Sequence, residues 1–260
     1  MTLRKLLAIS TIVALGLLAG CSGGGETPDA TESADAGSGA AFSVDPATAG
    51  TITGKVSFSG KAPRRGRINM SAEASCAQAH GGPIPTEDFV PNDNGTIRYV
   101  FVYIKSDFGG ASFPVPEEPV VLDQKDCLYS PHVVGAMAGQ TIRFLNSDTV
   151  THNVHPVPQN NREWNVSQPP NGDPIEKSFA RPELLLAVKC NVHPWMRSYI
   201  GVMKHPYFAV TGSDGTFTIG NLPPGDYTLV SWQEKLGEQE IQVTVGDSET
   251  KEVEIAYTGS

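Results

Sequence analysis

The chain has 260 residues, a formal net charge of −9 at pH 7, and 27 Gly and 20 Pro. This length allows one large or two small domains with a buried core, and the acidic balance argues against a nucleic-acid partner.

The first residues have the pattern of a secretory signal. Arg4 and Lys5 precede an apolar run over 6–18 that is short for a membrane span, and small residues then lead into Cys21. This arrangement resembles the lipobox of bacterial lipoproteins, the alternative being an ordinary signal peptide with an incidental cysteine. The resemblance implies that residues 1–20 are removed and that Cys21 becomes the lipidated N-terminus.

Residues 21–50 are predicted to be the lipidated cysteine and a disordered tether. The segment 22–50 is rich in small and acidic residues and has neither Lys nor Arg, so it cannot bury enough apolar surface to order itself. We expect a folded part anchored by lipid in the cell envelope and facing the periplasm. Ser22 stands where familiar enteric bacteria place an inner-membrane retention aspartate, which favours the outer membrane.

The remainder of the chain predicts an all-β fold. Short β-branched and aromatic runs are separated by turn clusters, and no stretch keeps a helical period over three turns. A short helix is expected over 73–80. The predicted strands are 51–58, 96–104, 119–122, 140–145, 150–155, 184–189, 199–204, 207–211, 216–219, 226–232, 240–245 and 251–257.

Two kinds of strand divide this part of the chain. The run from Ile97 to Ile104 is apolar on both faces, which is typical of a central strand between two sheets. The last fifty residues instead alternate, with Phe217 and Ile219 on one face. The predicted units are a β-sandwich or barrel over 95–205, a small Ig/transthyretin-like β-sandwich over 206–260, and N-terminal strands over 51–94 that pack on the latter.

Three cysteines follow the tether. In an oxidising compartment Cys76 and Cys127 are the natural disulfide pair, which leaves Cys190 single and in need of an explanation such as a metal. The spacings Cys76-x3-His80 and Cys127-x4-His132 also imitate a zinc site, which we rank below the disulfide.

One short segment carries three metal donors, namely Cys190, His193 and Met196. It follows an apolar run over 184–188, so Cys190 is expected at the end of a strand. A thiolate, an imidazole and a thioether suit copper in both oxidation states, whereas zinc sites usually lack Met. The alternative is that Cys190 is a small buried hydrophobe and that the other two residues are incidental.

A second histidine is needed for a trigonal copper site, and His152 and His155 compete for this role. Positions three apart on a strand point to opposite faces, so only one of the two can face a metal. Periodicity alone does not choose between them.

Two segments resemble the ligand regions of cupredoxins. Residues 139–148, followed by His152-Asn153-Val154, are similar to the first ligand region, and Cys190-x2-His193-x2-Met196 is similar to the ligand loop, with the short spacing of amicyanin. The resemblance covers roughly residues 95–210. It implies a Greek-key β-sandwich or barrel with one type 1 (blue) copper, held by the four residues His152, Cys190, His193 and Met196.

The same resemblance implies the roles of four neighbours of the metal. Asn153 would hydrogen-bond across to the ligand loop, and His193 would be the exposed ligand. Pro194 and Trp195 would add an apolar rim for brief docking of a redox partner. Core packing is the alternative role for Trp195. His205 before Pro206 is expected in a surface turn.

A second resemblance lies at the C-terminus. Residues 208–211, 214–219 and 222–229 are similar to the carboxypeptidase regulatory-like family, and residues 54–60 resemble that family's first strand. One implication is that the cupredoxin-like segment is inserted into this module, since insertions are tolerated at loop tips.

These observations predict a non-enzymatic electron carrier that serves an unidentified redox partner such as a cytochrome or an oxidoreductase. Cys190 is flanked by Lys189 and Asn191, whereas copper oxidases and nitrite reductases usually carry histidines there to reach a second copper. The alternatives are copper capture, delivery or sensing without redox turnover, and an envelope module for glycan or protein in which copper is structural or absent.

Overall fold

A computed structural model describes residues 42–259, and its regular structure is almost entirely β. The predicted all-β class is confirmed. No helix in this part of the chain has the length and apolar character needed to cross a membrane. The elements are β1 Gly50–Gly60, β2 Arg67–Ile68, α1 Ala74–His80, β3 Ile84–Pro85, β4 Val90–Pro91, β5 Ile97–Arg98, β6 Phe101–Ile104, a 3-10 turn Phe108–Gly110, β7 Val120–Lys125, β8 Leu128–Ser130, β9 Val133–Met137, β10 Ile142–Asn146, β11 His152–Val157, β12 Val166–Gln168, β13 Ile175–Lys177, β14 Glu183–Lys189, β15 Arg197–Met203, β16 Phe208–Val210, β17 Thr216–Leu222, β18 Gly225–Gln233, β19 Gly237–Val245 and β20 Thr250–Gly259.

The middle of the chain forms one pair of sheets, which we call sandwich A. Its sheets have the strand orders β13-β10-β7-β8 and β12-β11-β14-β15-β9. Strands of both sheets contribute alternate side chains to one buried core, which is the expected result of a period of two residues. The core includes Leu122, Tyr129, Ile142, Phe144, Val154, Leu186, Val188 and Ile200.

The two ends of the described chain form a second pair of sheets, sandwich B. Its sheets have the orders β17-β1-β20 and β16-β6-β18-β19. Strand β1 pairs in parallel with β20 and antiparallel with β17, so the N-terminal strand completes a sheet made from the C-terminus. Sandwich A therefore lies, in sequence, inside sandwich B.

The predicted domain boundary at residue 95 is wrong. Strand β6 (101–104) lies inside the predicted unit 95–205, yet it pairs with β16 and β18 of sandwich B. Successive side chains of β6 point alternately to the two sandwiches, and this explains why both faces of the strand are apolar. Val102 and Ile104 point into the core of sandwich B, whereas Phe101 packs against Val133 and Met203 of sandwich A.

The predicted tether also ends too late. Phe42 packs against Phe113, with ring centroids 4.7 Å apart, and its N–H donates to the carbonyl of Ser112 at 2.7 Å. Order thus begins before residue 50. The predicted signal over 1–20, Cys21 and the tether as far as residue 41 lie outside the described residues.

Residues 67–85, which we call the cap segment, form a small addition to sandwich A. They comprise β2, α1 and β3, and the predicted helix over 73–80 is present at Ala74–His80. A disulfide joins Cys76 of α1 to Cys127 in the turn between β7 and β8, with an S–S distance of 2.00 Å. The cap segment is thereby tied to the end of sandwich A that carries the candidate site.

Candidate metal centre

Two neighbouring strands bring the predicted ligand segments together. Strand β11 begins at His152, β14 ends at Lys189, and the two strands pair antiparallel with His155 opposite Lys189. In an antiparallel pair the start of one strand lies beside the end of the other. The loop after β14, which holds Cys190, therefore emerges next to His152.

Three of the predicted donors converge on one point. The Nδ1 atoms of His152 and His193 are 2.8 Å apart, and the Sγ atom of Cys190 lies 3.9 Å from Nδ1 of His193. One donor atom from each of the three residues lies within 4.8 Å of the others, and all three residues are buried. The structure thus forms the His–Cys–His part of the predicted site.

Met196 lies at the end of the same loop and is fully buried. It packs in the apolar cluster that also contains Cys190. Its N–H donates to the carbonyl of His193 at 2.9 Å, and its own carbonyl accepts from the N–H of Cys190 at 3.2 Å. These bonds close the loop into a tight turn and fix the spacing of the three loop donors.

Asn153 holds the ligand loop from the opposite strand. Its Oδ1 accepts from the N–H of Asn191 at 2.7 Å and from that of Val192 at 3.3 Å, and it lies 3.4 Å from the sulfur of Cys190. Its Nδ2 donates to Asn165 at 2.6 Å. Asn153 thus makes the cross-loop contact that the cupredoxin resemblance implies.

The competing histidine, His155, lies outside the cluster. Its Nδ1 contacts Oδ1 of Asn191 at 2.9 Å, and its Nε2 contacts Glu163 at 2.6 Å. This placement follows from the strand, because His152 and His155 occupy opposite faces of β11.

The expectation that His193 is the exposed ligand is wrong, since only 3% of its surface is accessible. Its ring lies 5.1 Å from that of Trp195. Trp195 packs in turn against the apolar cluster that Ile68 and Met70 of the cap segment form with the two disulfide cysteines. The added segment thus covers the flank of the ligand loop that the cupredoxin resemblance implied would be open.

Trp195 is partly buried, and its indole N–H donates to the carbonyl of Cys127 at 3.0 Å. The residue therefore packs against the disulfide turn. Val192 and Pro194 are the exposed apolar residues of the loop, with Val192 56% accessible, and Asn191 is exposed beside them.

The electrostatics of the cluster separate its two histidines. Burial lowers the pKa of His152, but the carboxylate of Asp148 and the sulfur of Cys190 raise it more, to about 9. Burial and the charge of His152 lower the pKa of His193. Asp148 thus favours the protonated form of His152, and the positive charge of that form disfavours a second proton on His193.

The surroundings of Cys190 favour its ionised form, the thiolate. Burial raises the pKa of its thiol, but hydrogen bonds from His152 and from the N–H groups of His193 and Val192 outweigh that effect and lower the pKa. The thiolate is the form of cysteine that binds metals.

Sequence reasoning missed two residues of the site. The carboxylate of Asp148 accepts from Nε2 of His152 at 2.8 Å, and the hydroxyl of Tyr129 donates to the carbonyl of Asn153 at 2.7 Å. Burial raises the pKa of Tyr129, so its hydroxyl stays protonated and remains a donor. The spacing of Asp148 and His152, four residues across a turn, was the only local signal.

The alternative zinc site is not formed. The sulfurs of Cys76 and Cys127 are bonded to each other. His80 contacts the carbonyl of Asp126 at 2.6 Å, and His132 contacts Glu234 at 2.7 Å. The expectation that His205 lies in a surface turn is also wrong, because the residue is buried with its ring 5.0 Å from that of Phe108.

The donor set fits copper. Nε2 of His152 is held by the carboxylate of Asp148, so Nδ1 is the atom that can bind a metal, which would replace the proton there. Cys190 and His193 supply a thiolate and a second imidazole, and the loop adds the thioether of Met196. A buried set of nitrogen and sulfur donors of this kind is typical of copper centres.

The fold and the site define an all-β protein with a buried His–Cys–His centre. A model of polysaccharide lyase family 4, domain II, matches residues 185–253, from β14 to the start of β20. The carboxypeptidase regulatory-like resemblance stays a prediction. No curated protein matches the chain.

Among solved structures the chain is similar to cupredoxins. It is 22% identical to a Cu(I) form of an amicyanin mutant, over 39% of this chain and 97% of amicyanin, with a TM-score of 0.29. A purple cupredoxin from Nitrosopumilus maritimus is 22% identical over 32% of this chain and 98% of its own, with a TM-score of 0.28. A copper-containing nitrite reductase from Thermus scotoductus SA-01 is 19% identical over 36% of this chain, with a TM-score of 0.32, and the match spans only 24% of the reductase.

Proposed function

We propose that this chain is an electron-transfer protein that holds one copper ion in a type 1 site made by His152, Cys190, His193 and Met196. The observation that carries the proposal is the convergence of one nitrogen from each of two imidazoles and one thiol sulfur, within 4.8 Å of one another, from two separate segments. When bound, copper supplies a one-electron couple, and this mixed donor set suits both of its oxidation states.

The surroundings of the donors favour fast electron transfer. Asn153 fixes the loop through two N–H groups, and the bonds between Cys190, His193 and Met196 close it. Side chains held in this way move little when the charge at their centre changes. Small movement keeps the energetic cost of each electron transfer low.

Burial of the donors argues for electron transfer over copper delivery. His152 and Met196 are fully buried, and Cys190 and His193 nearly so. A metal that is handed to another protein needs an entry path along which its ligands are exchanged. Transfer of an electron requires only a short distance between the metal and the redox centre of the partner. Copper capture or sensing is the second candidate, and an envelope binding module is the third.

The proposal includes a carrier role without catalysis of its own. Lys189 and Asn191 flank Cys190, whereas enzymes that couple this type of site to a second copper usually place histidines there. The redox partner, such as a cytochrome or an oxidoreductase, would dock where Val192 and Pro194 of the ligand loop are exposed. Lipidation of Cys21 would keep the protein in the cell envelope.

Addition of one equivalent of cupric ion to the metal-free chain tests the proposal. We expect an intense visible absorption that Cys190→Ser abolishes, because the colour of such a centre comes from its copper–thiolate bond. His152→Gln should lose the colour as well, whereas the matched variant His155→Gln should keep it. Reversible reduction with copper retained separates a carrier from a delivery protein.

Three outcomes of this experiment would contradict parts of the proposal. Colour that survives Cys190→Ser removes the site assignment. A chain that binds the cupric ion without colour excludes the type 1 centre. Loss of the metal on reduction favours delivery.

A further inference from the structure

Asp148 connects the candidate ligand His152 to the disulfide turn. Its Oδ2 accepts from Nε2 of His152 at 2.8 Å and from the N–H of Cys127 at 2.8 Å, and its Oδ1 accepts from the N–H of Asp126 at 2.6 Å. The carboxylate therefore has three donors from two different parts of the chain. Its side chain is only 11% accessible, so water competes little for these bonds.

The turn between β7 and β8, whose N–H groups bind Asp148, has an uncommon backbone. Asp126 and Cys127 link β7 to β8, and both have positive φ angles, of 55° and 56°. Two successive residues in this region are typical of a type I′ hairpin turn, which usually contains glycine or asparagine. Here the turn presents two adjacent N–H groups to one carboxylate, and the disulfide from Cys127 to Cys76 joins it to α1.

This arrangement determines which nitrogen of His152 is available. A carboxylate opposite Nε2 keeps a proton on that atom, so a metal can bind only at Nδ1, where it would replace the second proton of the ring. Nδ1 is the atom that faces His193 at 2.8 Å. A carboxylate in this position also makes the imidazole a stronger donor to a metal and fixes the plane of its ring.

We propose that Asp148 is a positioning residue that holds His152 through Nε2 and lowers the reduction potential of the bound copper. The inference rests on the proposed function. A negative charge one hydrogen bond away from a ligand stabilises the more positive oxidation state of the metal. The two N–H groups of the turn keep that charge in place without neutralising it.

The test compares Asp148→Asn with the matched control Asp126→Asn. Asp126 lies in the β7–β8 turn and Asp148 beside it, so each change removes one negative charge from the same neighbourhood, but the side chain of Asp126 is exposed. Asparagine tolerates the positive φ of position 126, so the control should fold normally. Potentials are measured by redox titration of the visible absorption of the copper-loaded chain.

We expect Asp148→Asn to raise the potential and Asp126→Asn to leave it nearly unchanged. Loss of such a partner typically weakens a metal site tenfold or more. A tenfold loss of affinity for the oxidised copper ion, with the affinity for the reduced ion unchanged, raises the reduction potential by about 59 mV for one electron. Equal potentials in the two variants, with the wild-type colour retained, would overturn the inference and leave the proposed function intact.

A second measurement works on the metal-free chain and does not require copper. Nitrogen NMR should show the proton of His152 on Nε2, exchanging slowly with water, in the wild type and in Asp126→Asn. Asp148→Asn should accelerate that exchange. Unchanged exchange in Asp148→Asn would refute the positioning role. A wild type that shows the protected proton but no colour with copper would refute the proposed function and, with it, the effect on potential.

Discussion

The indole Nε1 of Trp195 donates a hydrogen bond to the carbonyl oxygen of Cys127, at a nitrogen–oxygen distance of 3.0 Å. This bond joins the ligand loop to the disulfide turn. Asp148 joins the same turn to His152 from the other side. The turn between β7 and β8 therefore contacts both segments that supply the proposed copper ligands.

Trp195→Phe should destabilise the fold by about 1 kcal/mol, because the carbonyl of Cys127 loses its indole donor while most of the ring packing remains. Denaturant unfolding followed by far-UV circular dichroism measures the change without relying on tryptophan emission. Trp164→Phe is the matched control. The ring of Trp164 packs on Phe144, and no hydrogen bond of its indole is found among residues 42–259. Equal losses in the two variants would show that the Trp195 bond contributes nothing specific.

The double variant Cys76→Ser/Cys127→Ser should lose about 4 kcal/mol of unfolding free energy. The disulfide closes a sequence separation of 51 residues, and the loss of chain entropy in the unfolded state has about this size for such a loop. Thermal or denaturant unfolding under oxidising conditions gives the value. With a strong thiol reductant present, the wild type and the variant should become equally stable. A variant as stable as the oxidised wild type would contradict the prediction.

The core of the candidate site follows from local sequence, because Cys190, His193 and Met196 are spaced to fit one turn. His152 required the cupredoxin resemblance, since alternation on β11 does not distinguish it from His155. Asp148 and the burial of His193 were not predictable in this way. Both depend on distant segments, namely the turn at 126–127 and the cap segment over 67–85.

The fold was predictable where apolar and polar residues alternate along a strand, and it was less predictable where the strands are short. The alternating strands of sandwich B and the helix at 73–80 are present where the sequence predicts them. Strands β2, β3, β4, β8, β9, β12 and β13 were missed, because each has only two to five residues and owes its conformation to a neighbouring strand. Strand β6 was assigned to the wrong sandwich. Apolar residues on both of its faces predict a buried strand, but they do not reveal which sheet the strand pairs in.

Gly201→Ala should destabilise the junction between the two sandwiches. A Cβ atom at Gly201 of β15 would lie 2.3 Å from the ring of Phe101, which reaches over from β6. Overpacking of a well-filled interior costs about 1–3 kcal/mol. Gly220→Ala is the control, because the nearest atom to its added methyl group would be Oγ1 of Thr51 at 3.7 Å. Thermal unfolding compares the two, and a Gly201→Ala variant as stable as Gly220→Ala would show that Phe101 moves aside without cost.

Glu183 provides a pH-dependent contribution to the stability of sandwich A. Its buried carboxylate accepts from the N–H groups of Gln159 and Asn160 and from the side-chain amide of Asn161. Burial raises the pKa of Glu183, but these hydrogen bonds outweigh it and hold the pKa below 4.5. A carboxyl whose pKa is lower in the folded state stabilises the fold above its unfolded pKa, and this stabilisation is lost as the pH falls through the folded value.

Glu183→Gln should therefore be less stable than the wild type at pH 7, by about 1.5–3 kcal/mol, because hydrogen bonds to a charged acceptor are lost. The difference should shrink as the pH falls below 4.5, the ordinary value for the side chain. Urea unfolding at pH values from 7 to 3 follows this change. Glu176→Gln is the control, since Glu176 forms an exposed ion pair with Arg143 and such pairs contribute about 0–1 kcal/mol. A difference for Glu183→Gln that stays constant over the whole pH range would show that the charge of this carboxylate does not stabilise the loop at 159–161.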